Sequence, residues 1–182
     1  MFENMKLSKQ VRTDLAKAYQ CAMEVSILDM KAPLRYINQY ISENVSGYGT
    51  AADEKVRSRE DYRKMLIKIR QQSKGMLFKA KIITRYSPKF TDESTAQFHD
   101  EIKVQIGDKI NMHSIHLFMS CVFKYRNNKW QMVLFHGSIP DPASTIEDTF
   151  HIGEAEKKLK ALEQVVAERT AELQRKAREL EI

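Results

Sequence analysis

The chain is poor in residues that punctuate or cross-link small folds, with two cysteines, four prolines, six glycines and one tryptophan in 182 residues. Cys21 and Cys121 lie far apart without a CxxC partner, which argues against a disulfide framework or a thiolate metal site. Both read as small core residues. Long apolar runs are missing too. The longest, "IHLFMSCVF" from Ile115 to Phe123, is far too short to cross a bilayer, and the opening "MFENMKLSKQ" is polar and charged. A cytoplasmic protein without a membrane span is therefore expected. No P-loop, nucleophile elbow or H-E-x-x-H occurs, and nothing calls for a metal or a cofactor. "GYGTAA", Gly47 to Ala52, formally satisfies a dinucleotide fingerprint, but it follows a polar stretch around which no parallel βαβ unit can be built. It reads as a strand and turn.

Charge of one sign is in modest excess. From His151 onward basic and acidic residues cancel, seven of each, so the net +6 falls on residues 1 to 150. There it is scattered, through Lys6, Lys9 and Arg12, then Arg57, Arg59, Arg63 and Lys64, then Lys79 and Lys81. No basic run interleaved with aromatics accompanies it, so a solvated surface is expected rather than a nucleic-acid face.

What is present is periodicity. Val11, Leu15, Ala18, Ala22, Val25 and Leu28 recur at helical spacing within Lys6 to Met30. A second helix is expected from Pro33 to Ile41, with proline in its first turn, and a third over "SREDYRKMLIKIRQQ", capped by Ser58 with Asp61. After Gly75 the period falls to two, and four strands can be drawn: Met76 to Tyr86, Thr95 to Ile106, Met112 to Arg126 and Lys129 to Ile139. Asn127-Asn128 suits a two-residue hairpin, and a looser one lies at Gly107 to Lys109. Short joins imply an antiparallel sheet with the N-terminal helices on one face, an α+β fold.

Beyond Ala143 the helical period returns, with Ser144 or Thr145 as a cap. Ile152, Leu159, Val166, Leu173 and Leu180 repeat at sevens, with Ala155, Leu162, Arg169 and Lys176 in the companion positions. One small domain cannot bury so long a stripe, and a partner helix is the expected cover.

Two resemblances sharpen these readings. "GYGTAADEKVRSREDYRKML", the four strands and "NNKWQMVLFHGSIPDP" resemble the SnoaL-like branch of the nuclear transport factor 2-like superfamily over roughly residues 8 to 142. Gly49, Thr50, Asp53, Glu54, Arg59, Glu60, Trp130, His136, Ser138 and Pro140 stand in the matching places, while Ala51 and Ser58 replace glycines of the pattern. The resemblance implies a cone-shaped curved antiparallel sheet packed with N-terminal helices. "LEQVVAERTAELQRKAREL" resembles the signalling helix that precedes histidine kinase or diguanylate cyclase (GGDEF) output modules. It implies that residues 1–142 form a sensory domain and 143–182 a parallel dimeric coiled coil, the front part of a longer receptor.

The expected function is thus a non-enzymatic sensor that homodimerises through its C-terminal helix, Ile152, Leu159, Leu162, Val166, Arg169, Leu173 and Leu180 forming the seam. Strand phase and resemblance together put Tyr48, Phe78, Phe98, Asp100, Phe118, Trp130 and His136 around a small ligand or partner in the cone. Asp100 falls in phase with Phe98, Ile102 and Val104, which places a carboxylate on an apolar face. His136 shares strand phase with Trp130, Met132 and Leu134. An isomerase- or dehydratase-like enzyme using Asp100 and His136 is the competing reading, because related enzymes use a carboxylate or histidine in the cone as general base. A structural His136, or a bulge turning Asp100 outward, would remove it. A third reading has the eight Phe, seven Tyr and nine Met closing the cone with side chains, leaving the coil as a spacer. His113 and His116, three apart on one strand, point to opposite faces and do not ligate one metal.

Overall fold

A computed structural model of the chain describes residues 8–140 and 152–180, with side chains over 8–140 and 158–176. The chain divides into two units, Met1–Pro140 and Asp141–Ile182. In the first, helix α1 spans Lys9–Met23 and is capped by Ser8, whose Oγ accepts from the Val11 amide. Its buried face carries Leu15, Ala18, Tyr19, Ala22 and Met23. The helix was expected to reach Met30, but it widens into a π-helical turn at Glu24–Leu28. Helix α2, Arg35–Tyr40, runs directly into strand β1, Ile41–Tyr48. Strand β2 is only Lys55–Val56, and helix α3 spans Arg59–Gln72. At its start Ser58 Oγ accepts from the Asp61 amide at 3.1 Å while the Asp61 carboxylate accepts from the Arg57 amide at 3.2 Å. The first bond is the cap expected of Ser58; the second holds the amide of Arg57, the residue before the cap, rather than that of Ser58 as a reciprocal box would.

The expected strands are present as β3 (Leu77–Arg85), β5 (Thr95–Gly107), β6 (Met112–Arg126) and β7 (Lys129–Ser138), with a short β4 at Lys89–Asp92. Asn127 and Asn128 both have positive φ, 51° and 59°, the signature of a type I′ hairpin between β6 and β7. The seven-stranded sheet runs β2-β1-β7-β6-β5-β3, with β4 on β5. It is mixed rather than wholly antiparallel, since β1 pairs with β7 in parallel. Without β1 the far edge of β7 would present a row of unpaired N–H and C=O groups.

One face of the sheet packs on the helices, and the opposite one is the outer face. Tyr62, Phe123, Trp130 and Met132 are among the largest wholly buried side chains. Burying a group the size of Phe123 stabilises by roughly 2–3 kcal/mol. The Trp130 indole N–H donates to the Val11 carbonyl at 3.1 Å, which ties the last hairpin to α1.

The sheet has four register shifts, and two of them, each a one-residue insertion, bear on the site. Val122 pairs with Leu134 but Phe123 with Met132, so Val133 is extra; Ile82 pairs with Ile102 but Thr84 with Glu101, so Ile83 is extra. Each reverses the alternation beyond it.

In the second unit helix α4 spans Ile152–Leu180. Leu159, Leu162, Val166 and Leu173 are each more than half exposed on it, and Arg169 pairs with Glu172 at 2.9 Å. The caps expected at Ser144 or Thr145 lie outside the described residues, as do the side chains of Ile152 and Leu180.

Gly47 on β1 lies in register with Phe135 on β7. A Cβ there would lie 2.0 Å from the Phe135 carbonyl oxygen, a backbone atom that cannot swing aside. Gly47→Ala is expected to cost more than about 2 kcal/mol, read as a lowered urea midpoint with an unchanged slope.

Candidate functional site around Asp100

Alternation along β5 brings Phe98, Asp100, Ile102 and Val104 to the inner face, and the observed burial follows it. Asp100 is only 4% exposed. No insertion lies in β5 against β6, so Asp100 is not turned outward. The insertion is in the neighbouring strand. Because Ile83 is extra, Arg85 rather than Thr84 reaches the inner face, in register with Asp100, and its Nε stands 3.8 Å from Asp100 Oδ1. The same guanidinium lies over the Tyr19 ring, 5.0 Å from its centre, and Tyr19 stacks on Phe98 at 4.1 Å.

Two buried polar atoms here have no hydrogen-bond partner, Asp100 Oδ1 and the Tyr19 hydroxyl. Orphaned groups of this kind are costly unless something completes them. Burial pushes the Asp100 carboxyl up to about 6 despite the nearby guanidinium. Burial, then the charge of Asp100, also raises the thiol of Cys121. Tyr62 titrates far above its ordinary range because it is buried, although its hydrogen bond with Ser26 opposes the shift. A carboxyl that exchanges its proton near neutrality beside a half-exposed cation is suited to proton transfer.

The seven expected ligand residues separate by face. Phe78, Phe98, Asp100 and Trp130 are on the inner side, but Tyr48, Phe118 and His136 are exposed on the outer face. The cause for His136 is the extra Val133. Trp130 and Met132 point inward, then Phe135 and Gly137 do, leaving Leu134, His136 and Ser138 outside. Asp100 and His136 are on opposite faces, so the expected acid–base pair does not exist. Trp130 is occupied in the core. Around Phe98 the interior is filled by rings, Tyr19 at 4.1 Å and Phe123 at 5.5 Å. Phe78 borders a separate cleft of about 490 Å³ between the end of α3 and the π-helical turn, with Met30, Lys31, Arg70 and Lys74.

Arg85 and Tyr19 went unrecognised. Tyr19 lies one turn after Leu15 and was legible as a helix-face residue, while Arg85 depends on the insertion, hinted at only by the unbroken run Ile82-Ile83-Thr84. Among the described residues no cluster of three or more His, Cys, Asp or Glu could hold a metal ion, and no helix is long and apolar enough to cross a membrane.

The sequence profile of the SnoaL-like domain matches residues 28–142. No curated protein matches the chain. Similar solved structures include a domain of unknown function with a cystatin-like fold from Nostoc punctiforme PCC 73102, with 11% identity and a TM-score of 0.59 over 90% of this chain and 99% of that one. An NTF2-like protein of unknown function from Pseudomonas putida KT2440 has 13% identity and a TM-score of 0.55, over 79% and 94%. The hexachlorocyclohexane dehydrochlorinase LinA-type3 of Novosphingobium barchaimii LL02 has 8% identity and a TM-score of 0.58, over 71% and 86%. At such identities the likeness is one of fold. It nonetheless corrects the expectation of a non-enzymatic region, because dehydrochlorinases are built on the same fold.

The raised carboxyl gives a stability test. The folded state holds the Asp100 proton more tightly than the unfolded chain, so this one group's contribution to stability is fully present below about pH 4 and is lost as pH rises to about 6. Asp100→Asn removes the charge at nearly constant shape. It is expected to stabilise the domain by about 1.5 kcal/mol at pH 7, half the unscreened value because Arg85 and solvent offset part of the charge, and by almost nothing at pH 4. Urea unfolding of both proteins at the two pH values measures the difference.

Proposed function

The chain belongs to the SnoaL-like domain family, and we propose that it is the sensory and dimerisation region of a bacterial signal-transduction protein. In this reading the domain binds a small ligand or partner, and α4 passes the resulting change to a histidine kinase or diguanylate cyclase module. The observation that carries it is the stripe on α4. Leu159, Leu162, Val166 and Leu173 are 56%, 61%, 56% and 67% exposed, a seam with heptad spacing. Apolar side chains in such a row are stabilised by a second helix, and a parallel copy of α4 places like against like. Arg169 in the seam is paired along its own helix with Glu172, and Lys176 pairs with the same carboxylate. A polar position of this kind costs stability and brings alternative packings closer in energy, which suits a switch. A ligand that prefers one packing tenfold shifts the balance by about 1.4 kcal/mol.

A second reading is favoured by Asp100. A buried carboxyl titrating near 6, with Arg85 nearby and one oxygen that accepts no hydrogen bond, has the properties of a general base acting on a carbon acid. It operates without His136.

Each reading has its own measurement. Leu162→Glu with Val166→Glu puts charge into the seam and is expected to turn a dimer into a monomer in sedimentation equilibrium, with the circular dichroism of the sheet retained; a dimer of unchanged strength would defeat the helix-mediated reading. For the second, ketones incubated with the protein in D2O are expected to exchange their α-protons, by NMR, faster than in buffer. Asp100→Asn should return the rate to that of buffer, and an unchanged rate removes Asp100 from the chemistry.

A further inference from the structure

The outer face carries a row that the inner site does not use. Cross-strand register aligns Lys55 on β2, Tyr48 on β1, His136 on β7, Ser120 on β6 and His99 on β5. His99 Nδ1 and Ser120 Oγ are hydrogen-bonded at 2.9 Å. Where β2 and β1 meet β7, Lys55, Arg57, Tyr48, Leu134 and His136 line a cleft of about 380 Å³. That volume lies in the range of small-molecule sites.

Three features define what the cleft would accept. Tyr48 is 59% exposed and Leu134 43%, giving a flat aromatic wall beside an apolar one. Lys55 and Arg57, two positions apart on one edge, have no ion-pair partner among the described residues. The neighbouring acids make other contacts: Asp53 pairs with Lys68 at 3.1 Å, the Glu54 carboxylate accepts from the Thr50 and Ala51 amides, and the Asp61 carboxylate accepts from the Arg57 backbone amide at 3.2 Å. The cleft therefore combines a planar wall with two cations that form no ion pair among the described residues, and a guanidinium such as that of Arg57 matches an oxyanion in a two-pronged geometry.

We propose that this outer cleft is a binding site for a small aromatic oxyanion, its ring against Tyr48 and Leu134 and its carboxylate or phosphate on Lys55 and Arg57. The site is independent of α4 and of Asp100, so the reading of the helix as a signalling device can fail without affecting it.

The test is titration of the full chain, isotopically labelled for NMR, with three probes of similar size: salicylate, phenyl phosphate and the neutral salicylamide. The expected result is saturable shifts of Tyr48, Leu134 and His136 amides with one or both anions and not with salicylamide; which anion binds more tightly separates carboxylate from phosphate recognition. Lys55→Ala with Arg57→Ala should weaken binding by roughly tenfold or more, whereas Lys81→Ala, a basic residue exposed on β3, should leave it unchanged. Equal binding of salicylamide, no saturation with either anion, or an affinity indifferent to the Lys55/Arg57 pair would each overturn the proposal. So would a native mass that drops from dimer to monomer on Tyr48→Ala, because a second copy would then occupy the cleft.

Discussion

A β-strand offers its side chains alternately to two faces, and in a sheet with one buried face that parity decides the chemistry of every position. Here two of the sheet's register shifts reset that parity beside the site. The extra Val133 turns His136 out of the interior, and the extra Ile83 turns Arg85 into it, opposite Asp100. Without the first, an imidazole would share the inner face with the carboxylate. Without the second, Asp100 would face Thr84 and have no cation within reach. The polar pole of the domain is the product of two inserted residues rather than of any motif.

This explains which parts of the molecule were legible. Local signals worked where local chemistry decides: Ser58 and Asp61 at the start of α3, the two asparagines of the last hairpin, and the extents of β5 and β6 follow from capping, turn geometry and period two. Asp100 was found because nothing interrupts its own strand. What failed was nonlocal. An insertion becomes visible only against the strand it pairs with, so His136 and Arg85 were misassigned or missed, and the strands β2 and β4 are too short to carry a period. The parallel placement of β1 had no sequence signal either, because its reason is the open edge of β7.

The two faces carry opposite kinds of chemistry. The inner one concentrates aromatic rings around one acid and one base, and its unpaired atoms are shielded from water. The outer one keeps the rings of Tyr48 and Phe118 exposed and carries Lys55 and Arg57 without an ion-pair partner among the described residues. The apolar row of α4 is a third surface, with chemistry distinct from both. A domain of this size thus has room for separate recognition events on one scaffold, consistent with the varied proteins that share its fold.

The parallel pairing of β1 with β7 has a consequence in time. Tyr48 lies in register with His136, about 90 residues further along the chain, so the contact that finishes the sheet must close a very long loop. On the ribosome, α1, α2, β1 and α3 emerge well before the strand that will cover them. Until then the apolar side of α1 and the edge of β1 stay open to other chains. Such a topology folds late and nearly all at once, and its period of greatest exposure to aggregation falls before β7 is available.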